Sequence, residues 1–553
     1  MFSVLLTTTA LLAPSAAEDV DAPARKIIAE HAERIQPLEV EAARRFWDAN
    51  VSGSADAYRL KDEADDRLDT ALADRAWFER LKRCHESRPA DLLLARQIEL
   101  LYWQALPKQV DRELLKQLTT RANGIEMRFN AFRARVGDEQ LTTSDVRRVL
   151  SSSTNSTRRR EVWEASKVLG SELAPELLAL VRLRNRAARR LGFADYHTMQ
   201  LELNEQPPDK LSRLFDHLDA LTREPFLKAK HNIDARLADQ RGVAADELKP
   251  WHYDDLFFRD APRSASVHVD HLYAGADIVD LCRRFYAGIG LPVDDVLAQS
   301  DLYEKPGKHP SAFCLDLDRA GDVRVLANVV PTDYWMSTML HEMGHAVYSS
   351  RNMPRELPYL VRCESHLLTT EGLAILFERF STSAEWLERM GVTLEDAEAF
   401  RAATRQARRY RLLVFSRLSQ VIFRFERELY RDPDQDLNRL WWELVEKYQG
   451  LRRPKDRDEP DYASQLHIAT APAYFHNYLL GELFACQLHE AVCRDALRGS
   501  DPQTASYVGR REVGDYLRER VFSAGRRLNW NELAKFATGE ELTARAFARD
   551  IGE

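Results

Sequence analysis

Two histidines four residues apart, His341 and His345, can share one task only if the chain between them is helical. On an α-helix, side chains at i and i+4 lie on one face, so both imidazoles can grip a single metal ion. Glu342 between them can then take a proton from a water held there. The flanks supply the helix: Tyr334-Trp335-Met336-Ser337-Thr338-Met339-Leu340 carries apolar residues at helical spacing, and Ala346-Val347-Tyr348 continues it. Ser349-Ser350-Arg351-Asn352 ends the pattern.

Two histidines leave a catalytic zinc one protein ligand short, and the third is expected on the next helix. Read as one helix over 364–381, that segment offers Glu364 and Glu371. Seven residues separate them, two turns or about 10 Å, so they cannot both bind the same ion.

Elsewhere the pattern is almost entirely helical. Apolar residues recur at three and four over 60–81, 92–103, 111–132 and 171–191, and again over 394–429, 436–448, 473–497 and 513–522. One short stretch differs. Ala312-Phe313-Cys314-Leu315-Asp316-Leu317 and the run 323–330 are strand-like around the turn Arg319-Ala320-Gly321-Asp322, which predicts a hairpin directly before the metal helix. The expected fold is therefore mainly α, with one small antiparallel sheet beside the His-Glu-x-x-His helix. An edge strand there offers free backbone groups to an extended peptide.

No Gly/Ser/Pro linker or repeat divides the 553 residues, so 18–553 is expected to form one domain. A net charge of −8, with no basic run interleaved with aromatics, gives no reason to expect nucleic acid as a partner. Residues 1–17 carry no charge and end in Ser15-Ala16-Ala17, which predicts a signal peptide cut near Ala17 and export to a periplasm or the exterior. The missing n-region cation leaves a cytoplasmic location as the alternative. No other stretch has the length of apolar sequence that a membrane span needs. Six cysteines without C-x-x-C pairs argue against a thiolate zinc site and read as small buried side chains.

Three segments in order, His309-Pro310-Ser311-Ala312-Phe313, His341-Glu342-Met343-Gly344-His345 and His467-Ile468-Ala469-Thr470-Ala471-Pro472-Ala473-Tyr474, resemble the peptidyl-dipeptidase A family, the angiotensin-converting-enzyme-like zinc peptidases of gluzincin type. Leu488-His489-Glu490-Ala491-Val492-Cys493, Ala524-Gly525-Arg526-Arg527-Leu528-Asn529-Trp530 and Thr538-Gly539 extend the likeness, and Gly192-Phe193-Ala194-Asp195-Tyr196 matches more weakly, so it covers roughly residue 192 to the C-terminus. The resemblance implies a large helical ellipsoid with a deep central cleft between two helical subdomains, and one zinc ion per chain. It selects Glu371, in Thr369-Thr370-Glu371-Gly372-Leu373-Ala374, as the third ligand beside His341 and His345. It further implies that His467 and Tyr478 donate to the oxyanion, that Tyr474 meets the substrate's terminal carboxylate, and that His309 and the backbone of Ala312 hold the peptide. Counting forward from His467 and back from His489 disagrees by one residue, which places an insertion within Phe475-His476-Asn477, expected as a π-bulge.

Three departures stand out. Ile375 occupies the place of the aspartate that orients a zinc histidine in the family. The family's lysine for the substrate carboxylate is here Gln465, a neutral amide, and the chloride-binding arginine has no clear counterpart. The expected activity is hydrolysis of short peptides with release of C-terminal dipeptides, loosened by Gln465. The alternatives are a thimet-like oligoendopeptidase and a helical peptide-binding scaffold without catalysis.

Overall fold

A computed structural model describes residues 19–262, 267 and 269–552; the expected signal peptide lies outside them. Helices fill most of this chain, and the longest, Ser156–Arg190, Pro208–Arg241 and Ala397–Arg431, are each about 50 Å long. Capping residues account for where helices deviate from the periodic pattern. The stretch 60–81 is broken into Ala55–Leu72 and Arg75–Ser87 because the Asp74 side chain accepts from the Trp77 N–H and starts a new helix. The segment expected as 364–381 begins only at Leu367, where His366 caps it, so Glu364 lies in the preceding loop and does not share a helical face with Glu371. The helix expected over 473–497 is His476–Ala491, followed by a π-helical turn at Val492–Ala496.

The predicted hairpin forms, shorter than its pattern: Phe313–Asp316 pairs antiparallel with Val323–Leu326, with Phe313 opposite Leu326 and Asp316 opposite Val323. Beyond Leu326 the chain leaves the ladder, since Ala327 donates instead to the Asp301 carbonyl. A second hairpin, Ala134–Val136 with Glu139–Leu141, turns at Gly137 with φ 59° and has no counterpart in the sequence reading. Among the described residues, no helix is long and apolar enough to cross a membrane. The six cysteines are unbridged; five are buried and Cys314 is partly so.

The N-terminal helices hold an apolar cluster of their own around Trp77, Phe78, Leu81, Ile98 and Leu101, while the main core runs through the rest. At its centre three helices meet: Asp333–Val347, Leu367–Glu378 and His476–Ala491. Glycines allow the approach. A Cβ on Gly344 would stand 2.8 Å from Ala374 Cα, and one on Gly372 would stand 2.8 Å from the Gly481 carbonyl oxygen. Neither space can be opened without moving backbone. Gly344→Ala is therefore expected to destabilise the protein by about 1–3 kcal/mol, read by denaturant unfolding, with zinc binding weakened in parallel.

Candidate active site

Thr332 caps the helix that carries His341, Glu342 and His345, with its hydroxyl accepting from the Trp335 N–H. One helical turn places the two imidazoles at right angles with their Nε2 atoms 3.1 Å apart. Glu371, from the next helix, brings Oε2 to 3.7 Å of His341 Nε2, and the three donor atoms lie within 4.8 Å of one another. The outer ring nitrogens are both engaged. His341 Nδ1 is 2.9 Å from Glu378 Oε2, and His345 Nδ1 is 2.7 Å from Thr370 Oγ1.

This arrangement fits a zinc ion. With each Nδ1 proton given to its outer partner, both Nε2 lone pairs face one point beside a carboxylate, which is adverse unless a cation sits there. Two zinc–nitrogen bonds of about 2.05 Å at a tetrahedral angle separate the nitrogens by about 3.3 Å, close to the separation found. Without the ion, burial tends to discharge His341, but the hydrogen bond and charge of Glu378 outweigh it and push the imidazole up to about 9. Burial and the neighbouring His341 hold His345 far below its usual value.

Glu378 and Thr370 answer the problem raised by Ile375. Glu378 stands seven residues past Glu371, two turns further along the same face, and its charge is supported by Arg411 and Arg408. The i+7 spacing was visible in the sequence; the crossing of the two helices that brings Glu378 to His341 was not. Glu378→Ala is expected to weaken zinc binding about 10–100-fold in a chelator competition, with Glu378→Gln intermediate.

The metal cluster forms part of the wall of a cleft of about 1270 Å³. Glu342 lines it and is 7% exposed; burial, reinforced by Glu371 and Glu378 against the opposing charge of His341, lifts its carboxyl to about 7. The Cys314 backbone, on the hairpin strand, opposes this rise weakly. Ala312, Phe313 and Cys314 border the same cleft. His467 and Tyr478 lie on its wall with ring centroids 5.9 Å apart. Burial and the charge of Arg259 lower His467 to about 4, so its imidazole is neutral at neutral pH. Burial and Glu371 raise the Tyr478 hydroxyl, keeping it a proton donor.

The other expected site residues have contacts of their own. Tyr474 packs against Tyr478 at 5.4 Å between centroids, and burial, Tyr478 and the charge of Glu371 raise its hydroxyl. Gln465 is 5% exposed, and its side-chain oxygen accepts from the N–H groups of His467 and Ile468, capping the short helix Leu466–Thr470. His309 is at the margin: its N–H donates to the Asn50 carbonyl and its ring pairs with Ser311 and packs near Phe313. Glu364 lines the cleft from its loop, pushed up to about 7 by burial, outside the metal cluster. The expected π-bulge within Phe475-His476-Asn477 is absent. Asn477 and Tyr478 instead donate to the carbonyls three residues back, Tyr474 and Phe475, so the helix opens on a tight turn.

The sequence matches the family model described as angiotensin-converting enzyme, Peptidase_M2, over residues 18–231 and 267–549. Similar proteins include the angiotensin-converting enzyme of Rattus norvegicus, 22% identical over 433 residues that make up 73% of this chain and 32% of the relative. That of Theromyzon tessulatum is 21% identical over 431 residues, 72% of this chain and 68% of the relative. That of Bos taurus is 23% identical over 444 residues, 73% and 32%. The chain thus spans about a third of the length of the Rattus norvegicus and Bos taurus relatives.

Proposed function

The chain belongs to the angiotensin-converting enzyme family, Peptidase_M2, and from that premise we propose that it is a zinc metallopeptidase that shortens small peptides from their C-terminal end, two residues at a time. The observation that carries the reading is the convergence of His341, His345 and Glu371 beside the buried Glu342 on the wall of a cleft that also holds Tyr478 and His467. In this reading residues 18–553 act as one peptidase domain, with the cleft between two helical subdomains. Export after cleavage near Ala17 remains part of the proposal.

His341, His345 and Glu371 would hold one zinc ion, which when bound supplies Lewis acidity, lowering the pKa of water and polarising the scissile carbonyl. Glu342 takes the proton of the attacking water and delivers it to the leaving amine. A carboxyl lifted to about 7 is matched to both transfers near neutral pH. Tyr478 and neutral His467 donate to the oxygen on which negative charge develops. Ala312, directly before the strand Phe313–Asp316, offers backbone groups along the extended substrate.

A second reading, an oligoendopeptidase, is favoured by one observation: Gln465 is a neutral amide whose oxygen caps a helix, so no charge at that position holds a terminal carboxylate. One peptide supplied as free acid and as C-terminal amide separates the two. Mass spectrometry showing dipeptide loss from the acid alone supports the dipeptide-releasing enzyme. Internal cuts in both forms support the oligoendopeptidase, and no cleavage of either sinks both readings.

A further inference from the structure

The backbone immediately before Tyr474 is held in a conformation its side chain disfavours. Ala473 has φ 56°, in the left-handed region that residues with a Cβ avoid. It lies in the turn between Leu466–Thr470 and His476–Ala491, and its N–H donates at 2.9 Å to Oε1 of Glu426, on the long helix Ala397–Arg431. Glu426 is 1% exposed. Placing a carboxyl there is costly, and its Oε1 is committed to this amide. Three residues on, the helix that carries Tyr478 begins, with Asn477 donating to the Tyr474 carbonyl and Tyr478 to that of Phe475. Both tyrosines therefore inherit their direction from the dihedrals at Ala473.

We propose that Glu426 is a positioning residue that clamps Ala473 in the left-handed conformation and so aims the Tyr478 hydroxyl into the cleft. The role rests on the proposal that Tyr478 donates to the developing oxyanion. Burial pushes the Glu426 carboxyl up to about 8 against the opposing Ala473 N–H and Arg184, so at neutral pH glutamine is its close mimic.

Glu426→Leu keeps the shape and removes the acceptor. It should lower kcat roughly tenfold or more, because nothing then offsets the cost of holding Ala473 in the left-handed region, while KM and zinc content stay within about twofold. Glu426→Gln, which retains an acceptor oxygen, should keep kcat within about twofold. Adding Ala473→Gly to Glu426→Leu should recover most of the loss, because glycine takes positive φ freely. In a Tyr478→Phe background, Glu426→Leu should cost less than about twofold more, since the two act through one group. Hydrogen exchange at the Ala473 amide should be slow in the wild type and fast in Glu426→Leu.

An unchanged kcat in Glu426→Leu, a loss that Ala473→Gly does not recover, or a full further loss in the Tyr478→Phe background overturns the proposal. If Tyr478→Phe alone leaves kcat unchanged, the oxyanion reading fails, and the exchange rate of the Ala473 amide still decides the clamp: fast exchange in the wild type refutes it. If Glu426→Leu does not fold, Glu426→Gln and the wild-type exchange rate carry the test, and a tenfold loss in Glu426→Gln counts against it.

Discussion

Glu342→Gln is expected to lower kcat for peptide hydrolysis by about 10²–10⁴-fold while zinc stays bound at one ion per chain. Glutamine fills the same space, so the helix and its neighbours have no reason to move. What it loses is the capacity to take a proton from water and return it to the leaving amine. Glu342 is almost fully buried between the metal cluster and the hairpin, and no second carboxylate belongs to the same short segment. Glu364, also raised to about 7 and lining the cleft, is a carboxyl that could substitute. Glu364→Gln measured alongside separates the two: it should leave kcat within about threefold, because a base outside hydrogen-bond reach of the water contributes little. Metal analysis of Glu342→Gln distinguishes lost proton transfer from lost zinc.

Tyr478→Phe should remove about 10²–10³-fold from kcat with a much smaller change in KM, the signature of a donor that acts on charge formed only in the transition state. Burial and the nearby Glu371 keep the Tyr478 proton in place at all working pH values, so the group is a donor and not a base. Tyr474→Phe is the internal comparison. Tyr474 lies beside Tyr478, and its proposed contact is the substrate's terminal carboxylate, which is present before and during the reaction alike, so its loss should raise KM and cost kcat less than tenfold. Equal losses in the two variants would contradict the division of roles between them. Assays at saturating peptide give kcat directly and show which tyrosine carries the effect.

The parts of this site that were legible in the sequence are those set by local periodicity. His341 and His345 face one way because four residues make about one turn, and the hairpin before them shows in its alternation and its turn residues. Glu371 could be preferred to Glu364 only by resemblance, since spacing alone left both open. The cap at His366 makes the physical difference, starting the helix at Leu367 so that Glu371 is helical and Glu364 is not. The partners of the two imidazoles, Glu378 and Thr370, were out of reach because they depend on how two helices cross, and that crossing depends on Gly344 and Gly372 letting backbones meet. That the Gln465 oxygen caps the helix Leu466–Thr470 was not read from the sequence, because the short helix itself was not separated there from its neighbours. The turn at Ala473 gave no warning, because alanine lacks the glycine or asparagine signature that usually marks a left-handed residue.

The central claim is that peptide hydrolysis depends on one zinc ion held by His341, His345 and Glu371. It is tested most directly by stripping the protein with a chelator and titrating zinc back while following cleavage of a short peptide, in the wild type and in Glu371→Ala. The account predicts no cleavage by the stripped protein, recovery complete at one equivalent of zinc in the wild type, and no recovery at one equivalent in Glu371→Ala. Cleavage that survives the chelator, or recovery in Glu371→Ala equal to that of the wild type, would contradict it.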